Sequence, residues 1–249
     1  MKRNEWYWLP YLFTMLNCLM GFWAIVQILE GNILTACWLI IIASLFDGFD
    51  GKLARYVSGA SEIGVELDSF ADVVSFGVAP AVLLYQASFF NYGLLGVLLA
   101  AFPIIFGAFR LARFNCLANG HEGGTFVGLP IPMQAMAIST FILFNQAIWE
   151  DIHLEILLVP FVFFLSFLMI SHIPYEKLPR ISFRDTRKNL LKLLVILAGI
   201  ALVAIKPPII LFPLVILYIF HGMAVSLFGL EPEEELESAC TTLDDDSVL

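Results

Sequence analysis

Eight apolar stretches follow one another along the chain, at residues 11–29, 33–51, 70–90, 92–113, 131–149, 154–173, 189–205 and 208–228. At a rise of about 1.5 Å per residue, a helix of this length approaches the roughly 30 Å thickness of a bilayer's hydrocarbon core. Because 60% of the residues are hydrophobic and only 14% are charged, the chain has too little polar surface to enclose a water-soluble core. We therefore predict an all-α polytopic membrane helix bundle with about eight transmembrane helices.

The basic residues mark one side of this bundle. If the N-terminus is cytoplasmic, twelve of the thirteen lysines and arginines lie at or beside the cytoplasmic surface, and only Lys206 lies outside. This is the distribution that the positive-inside rule requires, and the reverse orientation would violate it. We therefore expect a multi-pass protein of the cell's inner (cytoplasmic) membrane, surrounded by the lipid bilayer, with both termini and the longer loops in the cytoplasm.

The acidic residues are unevenly distributed. Eight of the 22 lie in the last nineteen positions, so the rest of the chain carries 13 basic and 14 acidic residues and is nearly neutral. The tail contains Pro232 and has no apolar periodicity, which is typical of a disordered segment. We expect residues 229–249 to form a solvated cytoplasmic tail, and we expect no nucleic-acid partner.

Four aspartates gather where the second span ends and the third begins: Asp47, Asp50, Asp68 and Asp72. At about 100° per residue, each pair lies on one side of its own helix, so two acidic faces can meet. Aspartate also caps helix ends, which would account for one such residue alone. Buried carboxylates are costly unless cations offset their charge, and hard oxygen ligands favour Mg²⁺ or Mn²⁺. The spacing therefore predicts a site for two divalent ions, an arrangement suited to phosphoryl transfer.

The same helix ends carry a longer pattern, Asp47-x-x-Asp50-Gly51-x-x-Ala54-Arg55, then eight residues, then Gly64-x-x-x-Asp68-x-x-x-Asp72. It resembles the signature of the CDP-alcohol phosphotransferase family at every defined position. The resemblance implies a six-helix catalytic core, a homodimer, and a bimetal centre at the cytoplasmic membrane boundary. For this chain it implies a membrane-embedded domain over residues 1–228, with a catalytic core at about 8–173 and accessory spans at 189–228.

The resemblance also implies roles for individual residues. The four aspartates would be metal ligands, and Asp72 would also act as the general base. A pocket for CDP would be lined by Gly51, Ala54 and Arg55, and approached from the first span by Pro10 and Thr14. Proline at the start of a helix is common, so the element from Pro10 to Thr14 has an ordinary structural explanation as well.

Three further strings, at residues 68–80, 109–115 and 126–132, resemble the CDP-diacylglycerol–serine O-phosphatidyltransferase branch of this family. L-Serine needs a cation for its carboxylate, and Arg110 and Arg113 lie three residues apart at one end of the fourth span. We regard Arg110, Arg113, Ser75 and Asn115 as candidate contacts for serine or phosphate. Alternatively, the arginines are only anchors at the membrane interface, and Ser75 and Asn115 only cap helix ends.

Alternatives of three kinds remain open. Within the family, the acceptor could be glycerol 3-phosphate or inositol phosphate, and the donor could be an archaeal ether-linked CDP-lipid. Outside it, a membrane ion transporter also carries intramembrane carboxylates, although here they gather at one membrane edge instead of the midplane. A transferase of the phospholipase D type would need paired H-x-K motifs, and none of the four histidines begins one.

Overall fold

The computed structural model describes residues 8–57, 62–118, 128–149, 155–171, 173 and 206–228, and every regular element in these ranges is helical. The α-helices are α1 (Leu9–Leu29), α2 (Ile33–Val57), α3 (Glu62–Asp72), α4 (Ala79–Leu84), α5 (Leu94–Ala100), α6 (Phe102–Ala118), α7 (Ile131–Trp149), α8 (Glu155–Ile170) and α9 (Pro207–Phe228). Two π-helical turns, Val73–Val78 and Tyr85–Phe89, and a 3₁₀ turn, Phe90–Tyr92, continue the helical path between α3 and α5. The all-α fold predicted from the sequence is confirmed.

Six helical segments in the described part of the chain are long and apolar enough to cross a membrane: Leu9–Leu29, Ile33–Gly51, Ile63–Tyr92, Leu94–Cys116, Ile131–Trp149 and Pro207–Ser226. A further apolar helix, Leu157–Ile170, is shorter than these. The predicted span at 189–205 and the acidic tail lie outside the described residues. The multi-pass architecture is therefore confirmed, and the count of eight spans stays a prediction.

The connection between the second and third spans is short. Helix α2 continues to Val57 and α3 begins at Glu62, so both helices extend beyond the apolar stretches at 33–51 and 70–90. Charged residues such as Lys52 and Glu66 lower the average hydropathy of this region. They nevertheless lie within the helices, beyond the apolar segments that would cross the membrane. Asp68 consequently lies within a helix.

Helices α1 and α2 form the most extensive helix contact in the described bundle. Small side chains on both helices are fully buried in the core, among them Ala24 on α1 and Ala36 and Ala43 on α2. Small residues let two backbones approach closely, which favours helix association in lipid. Large apolar side chains of α1, including Leu19 and Phe22, point outward, where lipid would cover them.

Helix α1 also packs closely against the third span. A Cβ atom built on Gly21 would lie 2.6 Å from the Cα atom of Ser75, closer than real Cβ atoms come. Ser75 belongs to the π-helical turn Val73–Val78, which lies just before Pro80. Pro80 cannot donate to the Phe76 carbonyl four residues earlier, and its ring crowds that carbonyl, so the helix widens at this point. The widened turn follows Asp72 directly and lies against α1.

Gly21→Ala should destabilise the protein, because the added methyl group would overlap the backbone of the third span. Overpacking of this kind costs about 1–3 kcal/mol in the free energy of unfolding. Thermal unfolding in detergent should show the loss as a lower apparent melting temperature. Gly48→Ala is the matched control, since a Cβ there meets nothing within 4 Å and alanine favours the helix. Equal melting temperatures for the two variants would contradict the close approach.

Candidate active site and metal centre

One face of α1 supports two of the four aspartates. The Thr14 hydroxyl donates a hydrogen bond to Asp50 Oδ2 at 3.0 Å, and the Asn17 side-chain amide donates to Asp72 Oδ1 at 3.2 Å. Thr14 and Asn17 lie three residues apart, and therefore on the same side of the helix. Both are buried, as are Asp50 and Asp72. Helix α1 thus fixes one carboxylate of α2 and one at the end of α3.

The carboxylates of these helices converge as the spacing predicts. Asp47, Asp50 and Asp68 each present an oxygen, and the three oxygens lie within 4.8 Å of one another. The carboxyl group of Asp72 contacts that of Asp47 through a side-chain hydrogen bond. Both aspartates of α2 lie in the helix interior, and Asp72 makes no side-chain capping bond, so helix capping does not account for the cluster.

The residues present fit a divalent cation. Three negative groups share a small volume, all of their ligand atoms are hard oxygens, and Asp68 Oδ1 is buried without a hydrogen-bond partner among the described residues. Such a set costs free energy unless cations offset it, and carboxylate oxygens suit Mg²⁺ or Mn²⁺. Asp47, Asp50 and Asp68 form this three-oxygen group, whereas Asp72 is oriented toward Asn17 and Asp47.

The two candidate arginines differ in their surroundings. Arg110 is only 8% exposed, and its guanidinium interacts electrostatically with Asp72 and Asp47. Its Nε atom is buried and has no hydrogen-bond partner in the described structure. Arg113 Nη1 instead donates to the backbone carbonyl of Ile170 at 3.2 Å, which ties α6 to the end of α8. Arg110 is therefore the arginine that faces the carboxylates.

The lesser candidates Ser75 and Asn115 both join helices. The Ser75 hydroxyl donates to the backbone carbonyl of Asn17 at 2.9 Å, and the Asn115 amide donates to the Ser69 hydroxyl at 3.0 Å. Ser75 thereby connects the π-helical turn to α1, and Asn115 connects α6 to α3. These are contacts between helices and not local caps, so both residues support the site from its edges.

Of the residues implied for CDP binding, Thr14 and Gly51 lie beside Asp50. The Pro10 carbonyl accepts a second, 3.2 Å contact from the Thr14 hydroxyl. A Cβ built on Gly51 would meet nothing within 4 Å, so there is open space beside Asp50. Ala54 and Arg55 continue α2, and their side chains lie outside the described part of the structure.

Sequence reasoning missed two residues near this site. Asn17 is fully buried and holds Asp72, and Tyr218 of α9 interacts electrostatically with Arg110. A buried amide in an apolar span is itself a signal, because polar groups are rare and expensive within a membrane. Tyr218 carries no comparable signal, since tyrosines are common near the ends of spans.

The fold and the site together define a polytopic α-helical membrane protein with a buried carboxylate centre of the type that assists phosphoryl transfer. The sequence model of the CDP-alcohol phosphatidyltransferase family matches residues 7–173, about two thirds of the chain. The chain belongs to this family, as its aspartate pattern predicts.

Several relatives of known name cover much of the chain. A CDP-diacylglycerol–serine O-phosphatidyltransferase of Helicobacter pylori is 34% identical over 229 residues, 92% of this chain and 94% of that protein. The enzyme of the same name from Bacillus subtilis is 36% identical over 168 residues, 68% of this chain and 89% of its own length. An archaetidylserine synthase of Methanothermobacter thermautotrophicus is 38% identical over 172 residues, 68% of this chain and 70% of that protein.

Thr14→Val should weaken metal binding while leaving the fold intact, because valine keeps the shape and removes the donor to Asp50. Loss of a group that orients a metal ligand typically costs about 10- to 100-fold in metal affinity or activity. The measurement is a titration of the purified protein with Mn²⁺, which gives the concentration needed for half-maximal binding. Thr140→Val is the matched control, since within the described structure that buried hydroxyl bonds to two carbonyls of its own helix. A change confined to nucleotide affinity would instead support direct contact between Thr14 and CDP.

Proposed function

We propose that this chain transfers the phosphatidyl group of CDP-diacylglycerol to L-serine, giving phosphatidylserine and CMP, with two Mg²⁺ or Mn²⁺ ions at the aspartates. The observation that carries the proposal is the convergence of Asp47, Asp50 and Asp68 within 4.8 Å, with Asp72 held beside them by Asn17. The names of relatives that cover 92% and 68% of the chain support L-serine as the acceptor.

In this proposal, the diacylglycerol tails stay in lipid while the pyrophosphate lies at the carboxylate centre. When bound, divalent cations would offset the charge of the pyrophosphate and of the oxygens around the reacting phosphorus. Asp47, Asp50 and Asp68 would hold these cations, with Asp72 adjoining them. Gly51 leaves open space on α2, which suits the close approach of a nucleotide.

Asp72 is the proposed general base. It accepts the proton of the serine hydroxyl, and the serine oxygen forms a bond to the phosphorus that carries diacylglycerol. The bond from that phosphorus to the bridging oxygen breaks, and CMP leaves with the electron pair. The amide of Asn17 fixes one oxygen of Asp72, and this contact holds the carboxylate in position for proton transfer. Arg110 is placed to meet the serine carboxylate or a donor phosphate, because it already faces the same centre.

The proposal extends to the setting of the enzyme. The distribution of basic residues supports a site that faces the cytoplasm from the inner membrane, because the helix ends that carry the aspartates also carry Lys52 and Arg55. The family resemblance supports a homodimer. The accessory spans and the acidic tail would lie outside the catalytic core of residues 8–173.

The purified wild-type protein should release CMP from CDP-diacylglycerol only when L-serine and Mn²⁺ or Mg²⁺ are both present. Chelation by EDTA should abolish release, because the carboxylates alone would repel the pyrophosphate. Phosphatidylserine should remain the product when glycerol 3-phosphate and inositol phosphate compete, and a parallel reaction with an ether-linked CDP-lipid tests the donor. Ion flux in proteoliposomes without any lipid product would favour a transporter instead.

Asp72→Asn should lower turnover by roughly 10²- to 10⁴-fold, the usual contribution of a general base. Asparagine keeps the size of the side chain and can still meet Asn17, so the helical circular dichroism should not change. Glu66→Gln is the control, since it removes one negative charge from an exposed position on the same helix. Near-normal turnover of Asp72→Asn in saturating Mn²⁺ would refute the assignment of the base.

A further inference from the structure

The side-chain amide of Asn17 has a hydrogen-bond partner for only one of its two polar atoms in the described structure. Its Nδ2 atom donates to Asp72 Oδ1, and its backbone carbonyl accepts from Ser75, but its Oδ1 atom is buried and has no hydrogen-bond partner in the described structure. The residue is 0% exposed. A buried acceptor without a donor is unfavourable, so each such group in a native protein calls for a physical explanation, of which a functional role is one. Since both amide atoms share one carbon, this free acceptor lies beside the carboxylate of the proposed base.

We propose that Asn17 selects the acceptor substrate, with Oδ1 receiving the ammonium group of L-serine while Nδ2 holds Asp72. This inference rests on the proposed function. Asparagine Oδ1 only accepts hydrogen bonds, so its ligand must donate one. L-Serine has two donors, and its ammonium is on the carbon next to the one that carries the reacting hydroxyl. When the hydroxyl is at Asp72, the ammonium therefore falls beside it.

The neighbouring groups leave this task to Asn17. Asp68 Oδ1 is also buried and has no partner among the described residues, but Asp68 belongs to the group of oxygens that fits a cation. Arg110 interacts electrostatically with Asp72 and Asp47 and suits the serine carboxylate. Asn17, Asp72 and Arg110 would then contact the ammonium, the hydroxyl and the carboxylate of one small molecule.

The same arrangement explains how other alcohols would be disfavoured. Glycerol 3-phosphate and inositol phosphate offer a neutral hydroxyl where L-serine offers an ammonium, and hydrogen bonds from a charged donor are about twice as strong. 3-Hydroxypropionate keeps the hydroxyl and the carboxylate of serine but has no donor at this position. It is therefore the probe that isolates the contact to Oδ1.

The test compares the KM for L-serine with the inhibition constant of 3-hydroxypropionate, using the full-length protein with CDP-diacylglycerol and Mn²⁺. In Asn17→Leu the KM for L-serine should rise roughly 10- to 100-fold, because a hydrogen bond to a charged group is lost. The inhibition constant of 3-hydroxypropionate should change by less than about twofold, as expected for a group that it does not contact. The KM for CDP-diacylglycerol should stay at its wild-type value, whereas kcat should fall because Asp72 loses its support.

Two further variants complete the design. Asn17→Asp keeps an acceptor oxygen but removes the donor to Asp72, so it should lower kcat and retain the preference for L-serine. It also serves if Asn17→Leu fails to fold. Asn145→Leu is the matched control. Asn145 is equally buried, and its Oδ1 also lacks a partner in the described structure. It belongs to α7, which carries none of the four aspartates. In Asn145→Leu, the ratio of the KM for L-serine to the inhibition constant of 3-hydroxypropionate should equal that of the wild type.

The outcomes separate this inference from the function on which it rests. If wild-type protein shows no serine-dependent CMP release, both fail. If the wild type uses L-serine but Asn17→Leu weakens L-serine and 3-hydroxypropionate equally, Asn17 only positions Asp72, and the function stands while the inference is overturned. Loss of the preference for L-serine in Asn17→Asp would overturn it as well.

Discussion

The structure depends on holding several carboxylates together within an apolar helix bundle. In such surroundings each unpaired charge is expensive, and the described cations near the cluster are Arg110 and, beyond it, Arg113. The bundle manages this cost with polar groups from α1 that bond to Asp50 and Asp72. The remaining oxygens of Asp47, Asp50 and Asp68 converge, so that bound cations would complete the site. Fold and chemistry therefore depend on the same contacts.

Close backbone packing makes this support possible. Asn17 and Gly21 lie one turn apart on α1, and both lie against Ser75. The carbonyl of Asn17 accepts a hydrogen bond from the Ser75 hydroxyl, and Gly21 has no side chain, which leaves room for Ser75. The π-helical turn that contains Ser75 begins immediately after Asp72 and lies just before Pro80. The glycine and the widened turn therefore bring Ser75 against α1, next to the residue that holds Asp72.

Much of this architecture could be predicted from the sequence, because its causes are local. Apolar length predicts spans, and the i, i+4 spacing of Asp68 and Asp72 predicts a shared face. The full length of these helices is not encoded in hydropathy, which falls at Lys52 and Glu66 although each residue lies within a helix. Asn17 could not be assigned, because its role depends on a contact across 55 residues of sequence that no periodicity encodes. The partners of the two arginines were hidden for the same reason.

The last described helix packs against the region that the family model matches. The family match ends at residue 173, but α9 packs on α7 with Val215 and Ile219 buried, and Phe212 makes ring contacts with Phe141 and Phe161. The similarity to the Helicobacter pylori relative extends over 92% of the chain, well beyond that domain. An aromatic contact of this kind stabilises helix packing. On the same helix, Tyr218 interacts electrostatically with Arg110. Helix α9 therefore packs on α7 and brings Tyr218 near Arg110, even though the aspartate signature lies wholly on α2 and α3.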